Sequence, residues 1–291
     1  MTQKRKRQMN LLYLPALAIM LFFIAYPLGR AIVLSFFNWN GYSSTMTFTG
    51  VSNYLKAFGD DNFRGAVRNT LLYGIGSTII QQIIGLALAV FVNSKFKGRN
   101  VVRAVIYLPA MIAGLIMGYI MYFFFQFRGG VINEILRIFG GSPVDWLGKA
   151  NWAILIIIIV NSWQYVGVSM IIYLAGIQGI SKEYTEASMV DGASKWQNFR
   201  YITLPLLTPA IASSVTYNLI GGLKLYDIII SLTDGGPANR SHSLATYIAN
   251  RYFDGEQAGY AAAIGIFTFV MILIISTVVN RYFQKKENDI C

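Results

Sequence analysis

The stretch EYTEASMVDGASKWQNFRYITLPLL, residues 183–207, is a long polar interval between two apolar runs, and it is strongly marked by helix start and stop signals. Ser181 is a favourable N-cap for a first short helix, which Gly192 would end. Ser194, with Gln197 three residues later, forms a capping-box pattern that begins a second helix. These signals predict a helix–turn–helix hairpin held at a membrane surface.

The two predicted helices differ in character. The first, over about Lys182–Val190, is short and mostly polar. The second carries Trp196, Phe199 and Ile202 at i, i+3 and i+6, which predicts an apolar stripe along a regular helix. Pro205 then stands at the threshold of the next apolar run.

Composition points to a membrane protein. The chain has 291 residues, of which 55% are hydrophobic and 13% charged, about half the charge of a usual soluble domain. Six apolar runs are each long enough to cross a hydrocarbon core of about 30 Å. These predicted spans are Leu11–Leu34, Thr70–Val92, Ala104–Phe125, Trp152–Leu174, Leu206–Ile230 and Tyr260–Val279. The predicted fold class is all-α: a polytopic membrane protein with six transmembrane helices.

The charge distribution predicts how the spans are oriented. The net charge is +11, and Lys and Arg are concentrated in the segments that are cytoplasmic if the N-terminus lies inside. The predicted organisation is a cytoplasmic tail at 1–10, a six-span domain at 11–283 and a cytoplasmic tail at 284–291. The 181–205 hairpin then lies in the cytoplasm. Cationic cytoplasmic loops account for the net charge, so no nucleic-acid partner is predicted.

The hairpin sequence resembles the EAA loop of bacterial ABC importer permeases. The agreement includes residue types and a long spacing, with Ser188 in place of the second alanine. The residues that match the motif are Glu186, Ala187, Ser188, Asp191, Gly192, Ile202, Leu204 and Pro205. The resemblance implies that these residues couple the chain to a separate ATPase, in a bacterial cytoplasmic membrane. Glu186 could accept a charge-assisted bond from a partner cation, and Asp191 could do the same or cap the turn.

Four further segments resemble the carbohydrate-uptake branch of that family. They are SFFNWNGY at 35–42, FTGVSNY at 48–54, Leu108-Pro109, and LTDGGP at 232–237. The chain lacks the extra N-terminal spans and the large outer insertion of the maltose-importer subunit. The resemblance implies a type I importer permease fold, a sugar substrate, surrounding membrane lipid and three kinds of protein partner. These are a second homologous permease, two ATPase subunits that bind ATP and Mg²⁺, and an extracellular or periplasmic solute-binding protein.

Enzyme chemistry is not predicted for this chain. It has no G-x-x-x-x-G-K-[ST] loop for ATP phosphates, and no Cys/His zinc pattern or other metal site. His242 is the one histidine, and in an outer loop it is expected to be solvated. Cys291 is the one cysteine, expected to be an exposed tail thiol. ATP hydrolysis is therefore expected in another polypeptide.

Polar residues inside the spans mark a candidate substrate path, because such residues are costly in lipid and usually face a cavity. By resemblance, the candidate residues are Ala110, Gly114, Asn161, Gln164, Tyr165, Asn218, Gly221, Gly222 and Leu225. They could instead bond between helices or, at Gly221 and Gly222, allow close packing. Lys224 and Asp227 are expected to pair with each other near the outer surface.

Other functions remain open at this point. The ligand could be a polyol, a glycerol-phosphate or an amino sugar. A phosphorylated ligand would need cationic residues in the cavity, and among the candidate residues only Lys224 is a cation. An ion-coupled secondary transporter would need acidic residues at span centres, which the predicted spans lack. A membrane-embedded enzyme would need a nucleophile–base pair or metal set within the spans, and none is found.

Overall fold

A computed structural model describes residues 13–288 of the chain. Residues 1–12 and 289–291 lie outside the described part, and with them the predicted tail 1–10, the start of the first span and Cys291. Within residues 13–288 the chain is helical except for loops and one antiparallel strand pair, β1 (Phe37–Asn38) and β2 (Thr47–Phe48).

Thirteen helices follow one another along residues 13–288. In order they are α1 (Leu14–Leu34), α2 (Ser52–Gly59), α3 (Asp61–Asn93), α4 (Arg99–Met111), α5 (Gly114–Phe125), α6 (Val131–Ile138), α7 (Ala150–Gly179), α8 (Lys182–Val190), α9 (Lys195–Leu206), α10 (Thr208–Leu223), α11 (Asp227–Thr233), α12 (Leu244–Ala249, continued by a π turn Asn250–Asp254) and α13 (Ala258–Asn288). The C-terminal tail predicted at 284–291 is helical as far as Asn288.

Four of the described helices, α1, α3, α7 and α13, are long and apolar enough to cross a membrane. Two bent pairs, α4 with α5 and α9 with α10, bring the number to six if each counts as one span. The all-α, six-span fold class predicted from the sequence is confirmed.

The chain divides into two compact units. One comprises residues 13–61 and 248–269 of the described chain, and the other residues 62–247 and 270–288. In the first unit the amide of Asn53, in α2, donates to the carbonyls of Ser35 and Phe37 at 2.9 Å each. This bond pair joins α2 to the segment that leaves α1.

In the second unit α7 is the central helix and is buried on several sides. It packs against α3, α4, α10 and α11. Small residues permit the close approach that helices in lipid require. A Cβ on Gly85 of α3 would lie 2.6 Å from Ser169 Cβ of α7, and a Cβ on Gly167 of α7 would lie 2.5 Å from the Ile106 carbonyl oxygen.

Two predicted spans are not continuous helices. The predicted span 104–125 is broken at Ile112 and Ala113, whose backbones are extended, and its two arms meet at 98°. The predicted span 206–230 is broken after Leu223, and a new helix begins at Asp227. Pro109, which lacks an N–H, lies in the 3₁₀ turn before the first break.

Each break frees a carbonyl that another helix or loop satisfies. The Gln164 side chain donates to the Ile112 carbonyl at 2.8 Å, and the Ser243 hydroxyl donates to the Leu225 carbonyl at 2.7 Å. Irregular backbone at membrane depth is tolerated where protein satisfies it or where it lines a cavity. Both conditions hold here, because a cavity lies beside the breaks.

Candidate functional site

A cavity of about 390 Å³ lies in the second unit beside the two helix breaks. Its lining combines amide side chains, tyrosines, one cation, one carboxylate and small or apolar residues. The lining residues are Gln81, Gly114, Asn161, Tyr165, Tyr217, Asn218, Ile220, Gly221, Gly222, Lys224, Leu225, Tyr226, Asp227 and Ile228. The amides can hydrogen-bond to hydroxyl groups, and the aromatic rings present apolar faces beside them.

The amides of the cavity are held by the surrounding helices. The Gln81 side chain, only 1% exposed, donates to the Asn161 carbonyl at 3.0 Å. The Asn218 amide donates to the Ser169 hydroxyl at 2.7 Å. Gln81 Oε1 accepts no hydrogen bond from residues 13–288. This oxygen is buried, and it is an unsatisfied acceptor of a residue in the cavity wall.

Lys224 and Asp227 do not form the expected ion pair. Among residues 13–288 no salt bridge joins them, and both side chains are exposed in the cavity wall. The helix break separates them, so the i, i+3 geometry of a continuous helix does not apply. Gly114 leaves room for the carboxylate, because a Cβ there would lie 3.0 Å from Asp227 Cβ.

Most of the predicted substrate-path residues are brought together by the fold. Gln164 and Ala110 are the exceptions, since neither lines the cavity. Gln164 is fully buried and supports the first helix break through its bond to Ile112. Gly222 lies against α3, where its Cβ would come 2.8 Å from Gly74 Cα, whereas a Cβ on Gly221 would have no described residue within 4 Å.

Sequence reasoning missed Gln81. It is one of two adjacent glutamines inside the second predicted span, and a polar residue at that depth marks an interior-facing position. The sequence alone does not show which of the two glutamines lines the cavity. Gln82 accepts a hydrogen bond from the Tyr173 hydroxyl instead of lining the cavity.

The hairpin has the helix ends predicted from its sequence. The Ser181 hydroxyl accepts from the Glu183 N–H at 3.4 Å, and α8 spans Lys182–Val190 as expected. Ser194 and Gln197 form a complete capping box. Gly192 has φ +80°, the left-handed conformation that favours glycine.

The second helix of the hairpin differs from the predicted regular helix. Residues Phe199–Thr203 form a π turn inside α9, which shifts the register by one residue per turn. The predicted apolar stripe is therefore not a buried stripe of a regular helix. Trp196 is 66% exposed and its ring lies 5.7 Å from that of Phe199.

The outward face of the hairpin is a candidate docking surface. Glu186, Ala187 and Asp191 are exposed on it. Large apolar side chains are exposed around them, namely Tyr184, Met189, Val190, Trp196 and Tyr201. Several exposed large apolar side chains beside charged residues are typical of a protein–protein interface. Ser188 differs from its neighbours, because it is 5% exposed and points into the hairpin.

His242 is buried, contrary to the expectation of a solvated loop histidine. It is 3% exposed, and its Nδ1 lies 3.0 Å from the Thr246 hydroxyl. Its carbonyl accepts from the Asn69 amide at 3.0 Å. The ring occupies the space that a side chain on Gly235 would need. His242 therefore helps to fix the loop after α11.

Comparison with known proteins gives a consistent result. The family model described as "Binding-protein-dependent transport system inner membrane component" matches residues 81–288. The permease protein of a trehalose/maltose transport system from Thermococcus litoralis is 33% identical over 268 residues, 92% of this chain and 90% of the relative. A probable permease protein for starch degradation products from Thermoanaerobacterium thermosulfurigenes is 33% identical over 273 residues, 94% and 92% of the two chains.

Solved structures agree with these relatives. A chain in the crystal structure of a bacterial alginate ABC transporter, in complex with an alginate pentasaccharide-bound periplasmic protein, superposes with a TM-score of 0.85. It is 27% identical, and the match covers 98% of this chain and 96% of that one. Sequence and structure comparisons therefore extend over nearly the whole chain.

Proposed function

Because the chain belongs to the family of binding-protein-dependent transport system inner membrane components, we propose that it is a permease subunit of an ATP-driven carbohydrate importer. It forms half of the translocation path for a sugar or oligosaccharide. ATP and Mg²⁺ are bound by a separate ATPase, to which the chain is coupled through the 181–205 hairpin. The names of the relatives support a sugar as the transported ligand.

One structural observation carries the coupling proposal: the hairpin directly links α7 and α10, two of the helices that line the cavity. α7 contributes Asn161 and Tyr165 to the cavity and is followed by α8 after two residues. α9 leads into α10, which contributes Tyr217 and Asn218. A partner that displaces the exposed hairpin therefore acts on both cavity-lining helices at once.

The chemistry of the cavity supports an uncharged, hydroxyl-rich ligand. Gln81 Oε1 offers an acceptor for a sugar hydroxyl, and the Tyr165 and Tyr217 rings offer apolar faces. A few placed polar groups among aromatic side chains are the usual composition of a small-molecule site. Lys224 and Asp227 contribute opposite charges, so the lining has no net charge that favours a phosphorylated ligand.

The remaining partners follow from the same proposal. A second, homologous permease supplies the other half of the path, two ATPase subunits contact the two hairpins, and a solute-binding protein delivers the sugar from outside. The distribution of Lys and Arg supports an orientation with both termini and the hairpin in the cytoplasm. The ATPases then act on the side where ATP is present.

Co-purification tests the proposal. The tagged chain is expressed with the products of its neighbouring genes, purified in mild detergent, and its bound proteins are identified by mass spectrometry. Wild type is expected to retain a P-loop ATPase and a second polytopic permease. Glu186→Lys is expected to lose the ATPase and keep the second permease, because a reversed charge meets the ATPase cation that Glu186 would bind.

A matched control isolates the hairpin. Glu134→Lys makes the same charge change on the exposed helix α6, in the same unit, away from the hairpin. It is expected to retain both partners. A wild-type chain that purifies alone, or an ATPase that remains bound to Glu186→Lys as tightly as to wild type, contradicts the proposed coupling point.

A further inference from the structure

Asn198 bonds to both halves of the hairpin. Its Nδ2 donates to the Ser188 hydroxyl of α8 at 2.6 Å, across the turn. Its Oδ1 accepts from the Thr203 hydroxyl at 3.3 Å, at the end of the π turn. The three side chains therefore form one hydrogen-bonded chain from α8 to the last turn before α10. We call Ser188, Asn198 and Thr203 the clasp.

The hydrogen-bond donors and acceptors of the clasp fix the orientation of the Asn198 amide. The Ser188 hydroxyl donates its proton to the Thr185 carbonyl at 2.8 Å, so its oxygen can only accept from Asn198. The amide nitrogen of Asn198 must therefore face Ser188, and its oxygen must face the Thr203 hydroxyl. Each member of the clasp has a complementary partner.

The π turn is what brings Thr203 to Asn198. In a regular α-helix the residue above position 198 is residue 202, four positions on. The π turn over Phe199–Thr203 bonds at a spacing of five and places Thr203 above Asn198 instead. The irregular turn and the clasp thus depend on the same residues, which gives the π turn a specific structural role.

We propose that Asn198 is the positioning residue that transmits displacement of α8 to α10. This inference rests on the proposed function, in which an ATPase displaces the hairpin. Without the clasp, α8 remains joined to α9 through the Asp191–Gly192 turn and its backbone bonds, and Gly192 is conformationally permissive. Movement of α8 is then partly absorbed at the turn. The serine at position 188, where the motif has alanine, serves as the acceptor of the clasp.

The test measures sugar transported per ATP hydrolysed in proteoliposomes that contain the intact importer and its binding protein. Asn198→Asp is nearly isosteric and replaces the amide donor by an acceptor, so it breaks the bond to Ser188 and keeps the one to Thr203. Ser188→Ala removes the same bond from the other side. Both are expected to lower the ratio by about 2- to 30-fold, the range seen for residues that carry coupling between sites.

The ratio separates positioning from folding. Misfolded complexes contribute neither transport nor hydrolysis, so they cancel in sugar per ATP. In the double variant Ser188→Ala/Asn198→Asp, the ratio of sugar to ATP is expected to be no lower than in the more impaired single variant. Each substitution removes the same bond, so their effects should not add. Ser213→Ala is the control: it removes an exposed hydroxyl of α10 whose one bond within residues 13–288 is to the Pro209 carbonyl, and it should leave the ratio unchanged.

Failure of this inference is distinguishable from failure of the proposed function. If Asn198→Asp retains the ATPase and keeps the wild-type ratio, the clasp has no positioning role. If Asn198→Asp releases the ATPase in the co-purification assay, Asn198 belongs to the docking surface and the inference is wrong. Retention of the ATPase by Glu186→Lys would contradict the proposed coupling point itself. That result comes from co-purification with Glu186→Lys and does not depend on any Asn198 variant.

Discussion

The contacts that stabilise the hairpin join residues close in sequence, whereas those that stabilise the cavity join residues far apart in sequence. In the hairpin, the Asn198–Ser188 bond joins residues ten positions apart, and the capping box of Ser194 and Gln197 spans three. Around the cavity, the bond from Gln81 to Asn161 spans 80 positions, and that from Gln164 to Ile112 spans 52. The hairpin is thus a locally specified element, while the cavity exists only when distant helices pack.

This difference predicts different responses to mutation. A change in the hairpin should leave the protein folded and uncouple it, whereas a change among the packed helices should affect folding first. Two glycines represent the two cases. Gly192 has open space around it but a left-handed backbone, and Gly167 is crowded by the backbone of α4.

The largest expected effect on transport comes from Gly192→Val. A β-branched side chain at φ +80° is strained and should distort the turn. We expect uptake to fall to background while the protein still inserts and purifies. Uptake assays and size-exclusion chromatography check the two parts.

Gly98→Val is the matched control for Gly192→Val. Gly98 also has positive φ, and no atom of residues 13–288 lies within 4 Å of its would-be Cβ, but it is outside the hairpin. It should show similar backbone strain with uptake retained. Normal uptake by Gly192→Val, or an equal loss of uptake in both variants, would show that the hairpin has no special role in coupling.

The next effect is on stability, from Gly167→Ala. The added methyl would lie 2.5 Å from the Ile106 carbonyl oxygen and 2.8 Å from Tyr107 Cα, and backbone cannot move aside as a side chain can. Overpacking of this kind costs about 1–3 kcal/mol, so the melting midpoint in detergent should fall by roughly 2–12 °C.

Gly179 lies in the same helix, and a Cβ there would have no atom of the described chain within 4 Å. The Gly179→Ala variant should therefore melt within about 2 °C of wild type. Equal midpoints for Gly167→Ala and Gly179→Ala would mean that the close approach of α7 and α4 does not limit stability.

A smaller effect is expected from Gln81→Met, which removes the unsatisfied acceptor beside the cavity together with the bond to the Asn161 carbonyl. Loss of one hydrogen bond to the sugar corresponds to about 0.5–1.5 kcal/mol, or roughly a 2- to 12-fold rise in the KM for uptake. Gln82→Met, the same change one residue away, should leave KM unchanged because Gln82 bonds to Tyr173. A KM shift for Gln82→Met alone would place the ligand elsewhere.

The smallest effect is expected from Lys224→Met in the cavity wall. For a neutral sugar, loss of an exposed charge should alter KM by less than about threefold. A phosphorylated ligand would lose a charge-assisted bond, and its uptake would fall far more. A large loss in Lys224→Met, measured with glycerol-phosphate and maltose side by side, would favour the organophosphate substrate over the sugar.

The range of the contacts also explains what could be read from the sequence. Ser181, Gly192, Ser194 and Gln197 act on their immediate neighbours, so the ends of α8 and the start of α9 follow from residue types. The number of spans follows from the length of apolar runs. The π turn at Phe199–Thr203 is an exception, because nothing in its sequence distinguishes it from a regular helix.

The helix breaks and the environment of His242 could not be predicted in this way. The break at Ile112 depends on Gln164, and the break near Leu225 depends on Ser243, each far along the chain. His242 is buried because Asn69 donates a hydrogen bond to its carbonyl and because Gly235 leaves space for its ring. Such partners are known only when the fold is known.

Uptake of labelled sugars into proteoliposomes is the most direct test of ATP-driven sugar import by this chain. The intact complex is reconstituted with the binding protein outside and ATP inside, and maltose, trehalose and alginate oligosaccharides are compared. We expect accumulation of at least one sugar that requires internal ATP, persists with an ionophore, and is lost in Gly192→Val. Uptake that continues without ATP and ends when an ionophore collapses the ion gradient would contradict it and identify an ion-coupled secondary transporter.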